Sequence, residues 1–170
     1  MEKPIIAVTM GDPAGIGPEI VVKSIADKAT FDIARCIVVG DKKVMAKAIE
    51  IVGADLKINT VDSPADGDYS YGVLNMIDLD NIDMSRFEYG KVNAMCGQAA
   101  FDYIKKSIEI TMDKQADAVA TTPINKESLH AAEVDFIGHT EIFGALTGTA
   151  DPLTMFETNG LRVFFLTRHK

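Results

Sequence analysis

The sequence predicts an α/β fold with a largely parallel sheet, and two patterns carry that prediction. Short, continuous apolar runs, typical of strands buried on both faces, alternate along the chain with segments of helical periodicity. This alternation indicates β-α-β units, whose crossover helices join parallel strands. The predicted strands are Pro4–Met10, Ala34–Gly40, Leu56–Val61, Val73–Leu79, Ala116–Thr121, Leu153–Glu157 and Leu161–Thr167.

The predicted helices of the first half follow from their ends. Pro18 suits the first turn of a helix that runs to about Lys28, because the N–H that proline lacks has no partner there. Asp41 can cap a helix that continues to Val52, where Gly53 ends it. The turn-forming residues of 62–72 predict a surface loop.

A long helix is predicted from Val92 to Gln115, followed by a short buried strand. Its apolar residues recur at helical spacing and predict one buried stripe. Shorter helices are predicted after Lys126, to about Ala132, and over Thr140–Leu146. The stripe consists of Phe101, Ile104, Ile108 and Met112.

Composition excludes several classes of function. Seventeen Lys and Arg residues stand against twenty-five Asp and Glu, a net charge of −8 that disfavours nucleic-acid binding. Cys36 and Cys96 lie far apart in apolar segments, so they predict buried free thiols rather than a disulfide scaffold. No apolar stretch approaches the ~20 residues of a membrane span, and a cytoplasmic location is expected.

A turn rich in glycine, Gly11–Glu19 (GDPAGIGPE), joins the first strand to the first helix. Ligands often bind at such places in α/β proteins, where glycines let backbone N–H groups approach an anion. The turn is not a P-loop, since Pro18 follows Gly17, and Ile20 replaces the third glycine of a dinucleotide fingerprint. Taken alone, it favours a tight turn over a ligand site.

Three later segments contain residues suited to ligand binding. Thr121–Lys126 (TTPINK) follows a strand and could hold an anion, or could simply start a helix beside a solvated lysine. His139 and Thr140 open a helix in the sequence GHTE, where a substrate-binding imidazole or an ordinary surface histidine is possible. His130 is expected to be structural or solvated. His169 follows the last strand and could ligate a metal, although no second histidine is nearby.

These four segments, in this order, resemble the 4-hydroxythreonine-4-phosphate dehydrogenase (PdxA) family along all 170 residues. The resemblance implies a three-layer α/β/α fold like that of isocitrate and isopropylmalate dehydrogenases. It also implies that residues 1–170 are the N-terminal portion of a two-lobed dehydrogenase whose C-terminal half is absent. This portion alone is expected to be inactive.

The resemblance further implies a homodimer that oxidises and decarboxylates 4-phosphohydroxy-L-threonine in pyridoxal phosphate synthesis. NAD or NADP would accept the hydride, and three histidines would hold a divalent metal (Zn, Mg or Co). His139 and Thr140 match the family's substrate-binding pair, and His169 matches the first metal ligand; the other two histidines belong to the absent half. A role for Lys126 in anion contact or proton transfer is our own hypothesis, and no residue is assigned to the nicotinamide cofactor.

Two alternatives remain open on the sequence. Sister enzymes of the family act on 4-phospho-D-threonate or 4-phospho-D-erythronate in sugar-acid catabolism, and their substrates differ from the first mainly by a hydroxyl in place of an amine. A non-catalytic fragment that binds a phosphorylated ligand is the alternative from another class. Partners other than a small phosphorylated hydroxy acid and a second subunit, such as nucleic acid or a membrane, are not expected.

Overall fold

The computed structural model describes residues 2–165, which form two compact units that divide between Asp135 and Phe136. The first unit contains strands β1–β5 and helices α1–α5, and the second contains α6, β6 and β7. In chain order the elements are β1 (Ile5–Thr9), α1 (Gly17–Ala26), α2 (Lys28–Ile33), β2 (Arg35–Gly40), α3 (Lys42–Val52), β3 (Lys57–Thr60), β4 (Val73–Asp78), α4 (Ala94–Met112), β5 (Ala118–Ala120), α5 (Lys126–Ala131), α6 (His139–Thr147), β6 (Met155–Thr158) and β7 (Leu161–Phe164).

The five strands of the first unit form one sheet in the order β3-β4-β2-β1-β5, and every pairing in it is parallel. In the register of the central pairs, Ile5 lies opposite Arg35 and Ile6 lies opposite Ala118. The predicted α/β class and parallel sheet are confirmed.

Helices cover both faces of this sheet, because the chain moves along it in two directions. From β1 it steps to β2 and on toward the β3 edge, whereas from β4 it returns across the sheet to β5. Right-handed crossovers in opposite directions place their helices on opposite faces. Accordingly α1 packs on α3, while α4 packs on α5 and on strands β1, β2 and β5.

The capped helix predicted after the second strand is present. Asp41 accepts hydrogen bonds from the amides of Lys43 and Val44, and Gly53 ends α3 with a φ of 69°. The first helix differs from its prediction, because it ends at Ala26 and a separate helix, α2, follows. Asp27 caps α2 by accepting a hydrogen bond from the Ala29 amide.

Two burial predictions for the C-terminal part of this unit are wrong. Met112, in the last turn of α4, is 56% exposed, whereas Ile104 and Ile108 of the same predicted stripe are buried. The strand predicted as buried, β5, exposes Ala118 and Ala120, since among the described residues it pairs only with β1 and forms an edge of the sheet.

The second unit contains helix α6 and the antiparallel hairpin of β6 and β7. Asn159 and Gly160 join the two strands with positive φ angles of 48° and 81°, as a tight hairpin turn requires. All residues of both strands are exposed. In the described residues 2–165, no helix is long and apolar enough to cross a membrane.

Candidate functional site

The carboxyl ends of β1 and β5 form the place where this sheet is best suited to bind a ligand. The chain leaves β1 toward β2 and reaches β5 from the opposite direction, so these neighbouring strands define the point where the strand order reverses. Ligands of open α/β sheets bind in the crevice that such a reversal opens. The glycine turn follows β1, and the segment Thr121–Lys126 follows β5.

The glycines of the turn let these two loops pack against each other. Gly11 has a φ of 74°, and a Cβ there would lie 2.4 Å from Thr122 Oγ1. A Cβ on Gly17 would lie 2.3 Å from the Met10 carbonyl oxygen. The Asp12 amide donates to the Pro123 carbonyl at 3.0 Å. The tight-turn interpretation is therefore confirmed for Gly11 and Gly17.

The turn also buries a carboxyl group that the sequence analysis did not single out. Asp12 is only 5% exposed, and its Oδ1 accepts a hydrogen bond from the Ala14 amide at 2.9 Å. Its backbone carbonyl accepts another from the Gly15 amide. Burial raises the pKa of Asp12, and the Ala14 hydrogen bond partly opposes that shift. The signal in the sequence that could have identified Asp12 as a site residue is an acidic residue between a glycine and a proline, directly after a strand.

The polar side chains of Thr121–Lys126 divide into structural and free groups. Thr122 is 6% exposed and its hydroxyl donates to the Thr9 carbonyl, which joins the ends of β5 and β1. Asn125 caps α5 by accepting from the Ser128 amide. Thr121 and Lys126 are exposed. Of the predicted anion-binding groups, these last two remain available, and the role of Lys126 stays a prediction.

Helix α5, which follows this segment, is held in close contact with α4. A Cβ on Gly97 would lie 1.9 Å from the Ser128 carbonyl oxygen. The Ser128 hydroxyl accepts a hydrogen bond from the Asn93 amide, just before α4, and Leu129 is fully buried. His130 on the same helix is exposed, as predicted for a solvated residue. The Gly97 contact was not predicted.

In the second unit, the predicted histidine occupies the first position of α6. His139 Nε2 is buried and has no hydrogen-bond partner among the described residues. Burial lowers the pKa of His139, so the neutral imidazole is favoured. Thr140 follows in the first turn and is half-buried, and Glu141 accepts a hydrogen bond from the Ile137 amide at 2.7 Å. Gly138 offers no side chain to cap the helix.

The metal prediction is not tested by the residues that the structure describes. Between residues 2 and 165 no group of three or more His, Cys, Asp or Glu side chains is placed to hold a metal ion. His169, the predicted ligand, lies outside the described residues, as does Arg168 before it. The metal site therefore stays a prediction.

A small cavity lies at the opposite, amino end of the sheet. It is lined by residues that include Arg35, Cys36 and Tyr69, and its volume of about 30 Å³ leaves room for about two water molecules. Burial raises the pKa of the half-buried Cys36 thiol, which disfavours the reactive thiolate. Cys96 is also a free thiol and is fully buried, as expected for a small apolar side chain.

A family model described as "Pyridoxal phosphate biosynthetic protein PdxA" matches residues 32–170. The chain belongs to the PdxA family. A curated relative from Fusobacterium nucleatum, provisionally named D-threonate 4-phosphate dehydrogenase, is 58% identical over 96% of this chain and 49% of its own length. A relative from Symbiobacterium thermophilum with the same name is 55% identical over 98% of this chain and 50% of its own.

Solved structures of the PdxA family have the same fold. A 4-hydroxythreonine-4-phosphate dehydrogenase from Burkholderia phymatum is 38% identical, with a TM-score of 0.95 over 100% of this chain and 51% of its own. The enzyme from Klebsiella pneumoniae is 35% identical, with a TM-score of 0.89 over 95% of this chain and 49% of its own. The chain thus spans about half the length of the relatives it matches.

Proposed function

We propose that the full-length protein is an NAD(P)-dependent dehydrogenase whose substrate is D-threonate 4-phosphate. The observation that carries this proposal is the 58% identity to the relative provisionally named for that activity. The alcohol carbon of the substrate would transfer a hydride to the nicotinamide, and its hydroxyl group would lose a proton to a base. The resulting β-keto acid would then release its carboxylate as carbon dioxide.

His139 and Thr140 are the residues proposed to bind the substrate. The unpaired Nε2 of His139 supports this role, because a buried polar atom without a partner costs free energy that a ligand's hydrogen bond can offset. The Thr140 hydroxyl lies in the first turn of α6, where free backbone N–H groups favour anionic groups such as carboxylate and phosphate. Lys126, exposed after β5, is a second candidate for anion contact.

The second candidate substrate is 4-phosphohydroxy-L-threonine, the substrate first expected from the family resemblance. It is favoured by the solved structures at 38% and 35% identity, which carry the name 4-hydroxythreonine-4-phosphate dehydrogenase. A role in pyridoxal phosphate synthesis is supported by the description of the family model, "Pyridoxal phosphate biosynthetic protein PdxA". The two substrates differ by an amine in place of a hydroxyl. We propose D-threonate 4-phosphate first because the curated relatives with that name are more identical to this chain.

A divalent metal and a second subunit remain part of the proposal. If a metal is required, His169 would be its ligand from this chain, and chelation with EDTA would remove activity that Zn, Mg or Co restores.

A homodimer is supported by the exposed apolar residues of the β6–β7 hairpin, with Phe156 and Leu161 each 61% exposed. Sedimentation of the full-length protein would measure its oligomeric state.

The deciding experiment measures NADH or NADPH formation by the full-length protein with each of the two substrates. We expect kcat/KM for D-threonate 4-phosphate to exceed that for 4-phosphohydroxy-L-threonine at least tenfold. His139→Ala is expected to lower kcat/KM at least tenfold. The matched control His130→Ala, at an exposed histidine, is expected to leave it unchanged. The reverse preference would favour pyridoxal phosphate synthesis, and no turnover of either substrate would refute the dehydrogenase proposal.

A further inference from the structure

Two carboxyl groups of the described residues, those of Asp12 and Asp41, are more than nine-tenths buried, and they differ in how many hydrogen bonds they accept. Asp41 is fully buried and both of its oxygens are occupied. Oδ1 accepts from the amides of Lys43 and Val44, and Oδ2 accepts from the Ile82 amide at 3.0 Å. The Lys43 ammonium lies 3.6 Å from the same Oδ2. These contacts account fully for the presence of a buried charge at Asp41.

Asp12, by contrast, has one oxygen that no group of the protein occupies. Oδ1 accepts a hydrogen bond from the Ala14 amide, whereas Oδ2 accepts no hydrogen bond from the residues between 2 and 165. No Lys, Arg or His of that range forms an ion pair with it. Oδ2 is not fully enclosed by the protein, so part of this atom remains in contact with solvent. A group from outside the unit can therefore reach it.

The position of Asp12 indicates what kind of group this would be. The side chain lies in the turn after β1, whose backbone is hydrogen-bonded to the segment after β5. An ionised carboxylate there repels phosphate and carboxylate groups. It accepts hydrogen bonds from hydroxyl and N–H groups, and bonds to a charged acceptor are the stronger kind. The complementary ligand group is therefore a hydrogen-bond donor and not an anion.

We propose that Asp12 Oδ2 accepts a hydrogen bond from a hydroxyl group of a ligand bound at the carboxyl ends of β1 and β5. This inference rests on the proposed dehydrogenase function, in which both reactants carry hydroxyl groups. The donor is a hydroxyl of the sugar-acid substrate or a ribose hydroxyl of the nicotinamide cofactor. Asp12 is thus assigned as a ligand-binding residue that the glycine turn holds in place.

Asp12→Asn in the full-length protein tests this assignment with little change to the turn. Asparagine keeps the Oδ1 acceptor for the Ala14 amide but replaces Oδ2 with an NH₂ group, which donates and cannot accept. We expect the Tm to change by no more than about 2 °C. We expect KM to rise about 10- to 100-fold for one reactant, since a hydrogen bond to a charged acceptor is lost. A change confined to the substrate KM identifies the sugar acid as donor, and one confined to the nicotinamide KM identifies the ribose.

Asp41→Asn is the matched control, because its new NH₂ group would face the Ile82 amide, a second donor. It is expected to lower the Tm by several degrees and to leave the KM values of the folded enzyme unchanged. Unchanged kinetics in Asp12→Asn would overturn the proposed contact, and so would a loss of Tm as large as that of Asp41→Asn. An inactive wild-type protein would instead refute the dehydrogenase proposal, and with it this assignment.

Discussion

Replacing Gly97 with alanine tests the close contact of α4 and α5 that holds the segment after β5. The added methyl carbon would lie 1.9 Å from the Ser128 carbonyl oxygen and 2.2 Å from its carbonyl carbon. Non-bonded carbon atoms prefer separations of about 3.5–4.0 Å, so α5 must move away from α4. That movement strains the hydrogen bond between Asn93 and Ser128 and disturbs the packing of the fully buried Leu129.

Two opposing effects determine the size of the change. Overpacking in a core costs about 1–3 kcal/mol, and the upper end applies here because the contact is with backbone atoms that no rotamer change can move. Alanine is favoured over glycine inside a helix by about 1 kcal/mol, which offsets part of that cost. The free energy of unfolding should therefore fall by about 2 kcal/mol.

Urea unfolding of the full-length protein, followed by circular dichroism, measures this difference. Lys105→Ala, at an exposed position of α4, is the control and should change the free energy of unfolding by less than about 0.5 kcal/mol. Helix propensity alone predicts that Gly97→Ala stabilises the protein. A Gly97→Ala protein as stable as the wild type, or more stable, would therefore refute the close contact.

Three further predictions concern the loops and the histidine. Burial lowers the pKa of His139 below its usual value of 6.5, so near that pH the unfolded chain binds more protons than the folded protein. The free energy of unfolding should therefore decrease as the pH falls from 7.5 to 5.5. Urea titrations at both pH values should show a smaller decrease for His139→Asn than for the wild type. Gly17→Ala should lower the Tm by several degrees, since its Cβ would meet the Met10 carbonyl at 2.3 Å; an unchanged melting curve would contradict the tight packing of the loops. Lys126→Ala should raise KM without changing the Tm, and unchanged kcat and KM would remove its proposed role.

The elements with strong local signals could be predicted closely from the sequence. The apolar run after Pro4 forms β1, and the Asp41 cap and the Gly53 stop bound α3 as expected. These signals are local, because a cap or a left-handed residue acts within one turn of its own position. Helix α2 was missed for the converse reason. None of its six residues is buried, so it has no apolar stripe, and only the Asp27 cap marks its start.

Burial at the end of α4 and along β5 could not be predicted, because it depends on which elements become neighbours. Met112 continues the helical spacing of Ile104 and Ile108, yet it is exposed in the last turn of α4 while those two residues are buried. The alanine-rich β5 resembles a buried strand in composition but lies at a sheet edge of the described unit. The periodicity of apolar residues indicates which face of a helix or strand is buried, but it does not indicate how much of that face a neighbouring element covers.

The candidate site was predicted in part. The sequence placed the glycine turn and the segment after β5 at strand ends, and the parallel sheet brings those ends together. It could not show that the Thr122 hydroxyl is used within the protein, because its partner, the Thr9 carbonyl, is distant in the sequence. The glycines of the turn indicate backbone N–H groups as binding elements, and the buried carboxyl group of Asp12 between them was not predicted.

Unused hydrogen-bonding capacity now separates functional candidates from structural ones in this chain. Among the described residues, only Ser107 Oγ and His139 Nε2 are fully enclosed polar side-chain atoms without a partner. Ser107 is fully buried in the middle of α4, away from the ends of that helix. His139 begins a helix, and Asp12 leaves one oxygen open at a strand end. Unused capacity at element ends, where α/β folds bind ligands, is therefore the stronger indication of function.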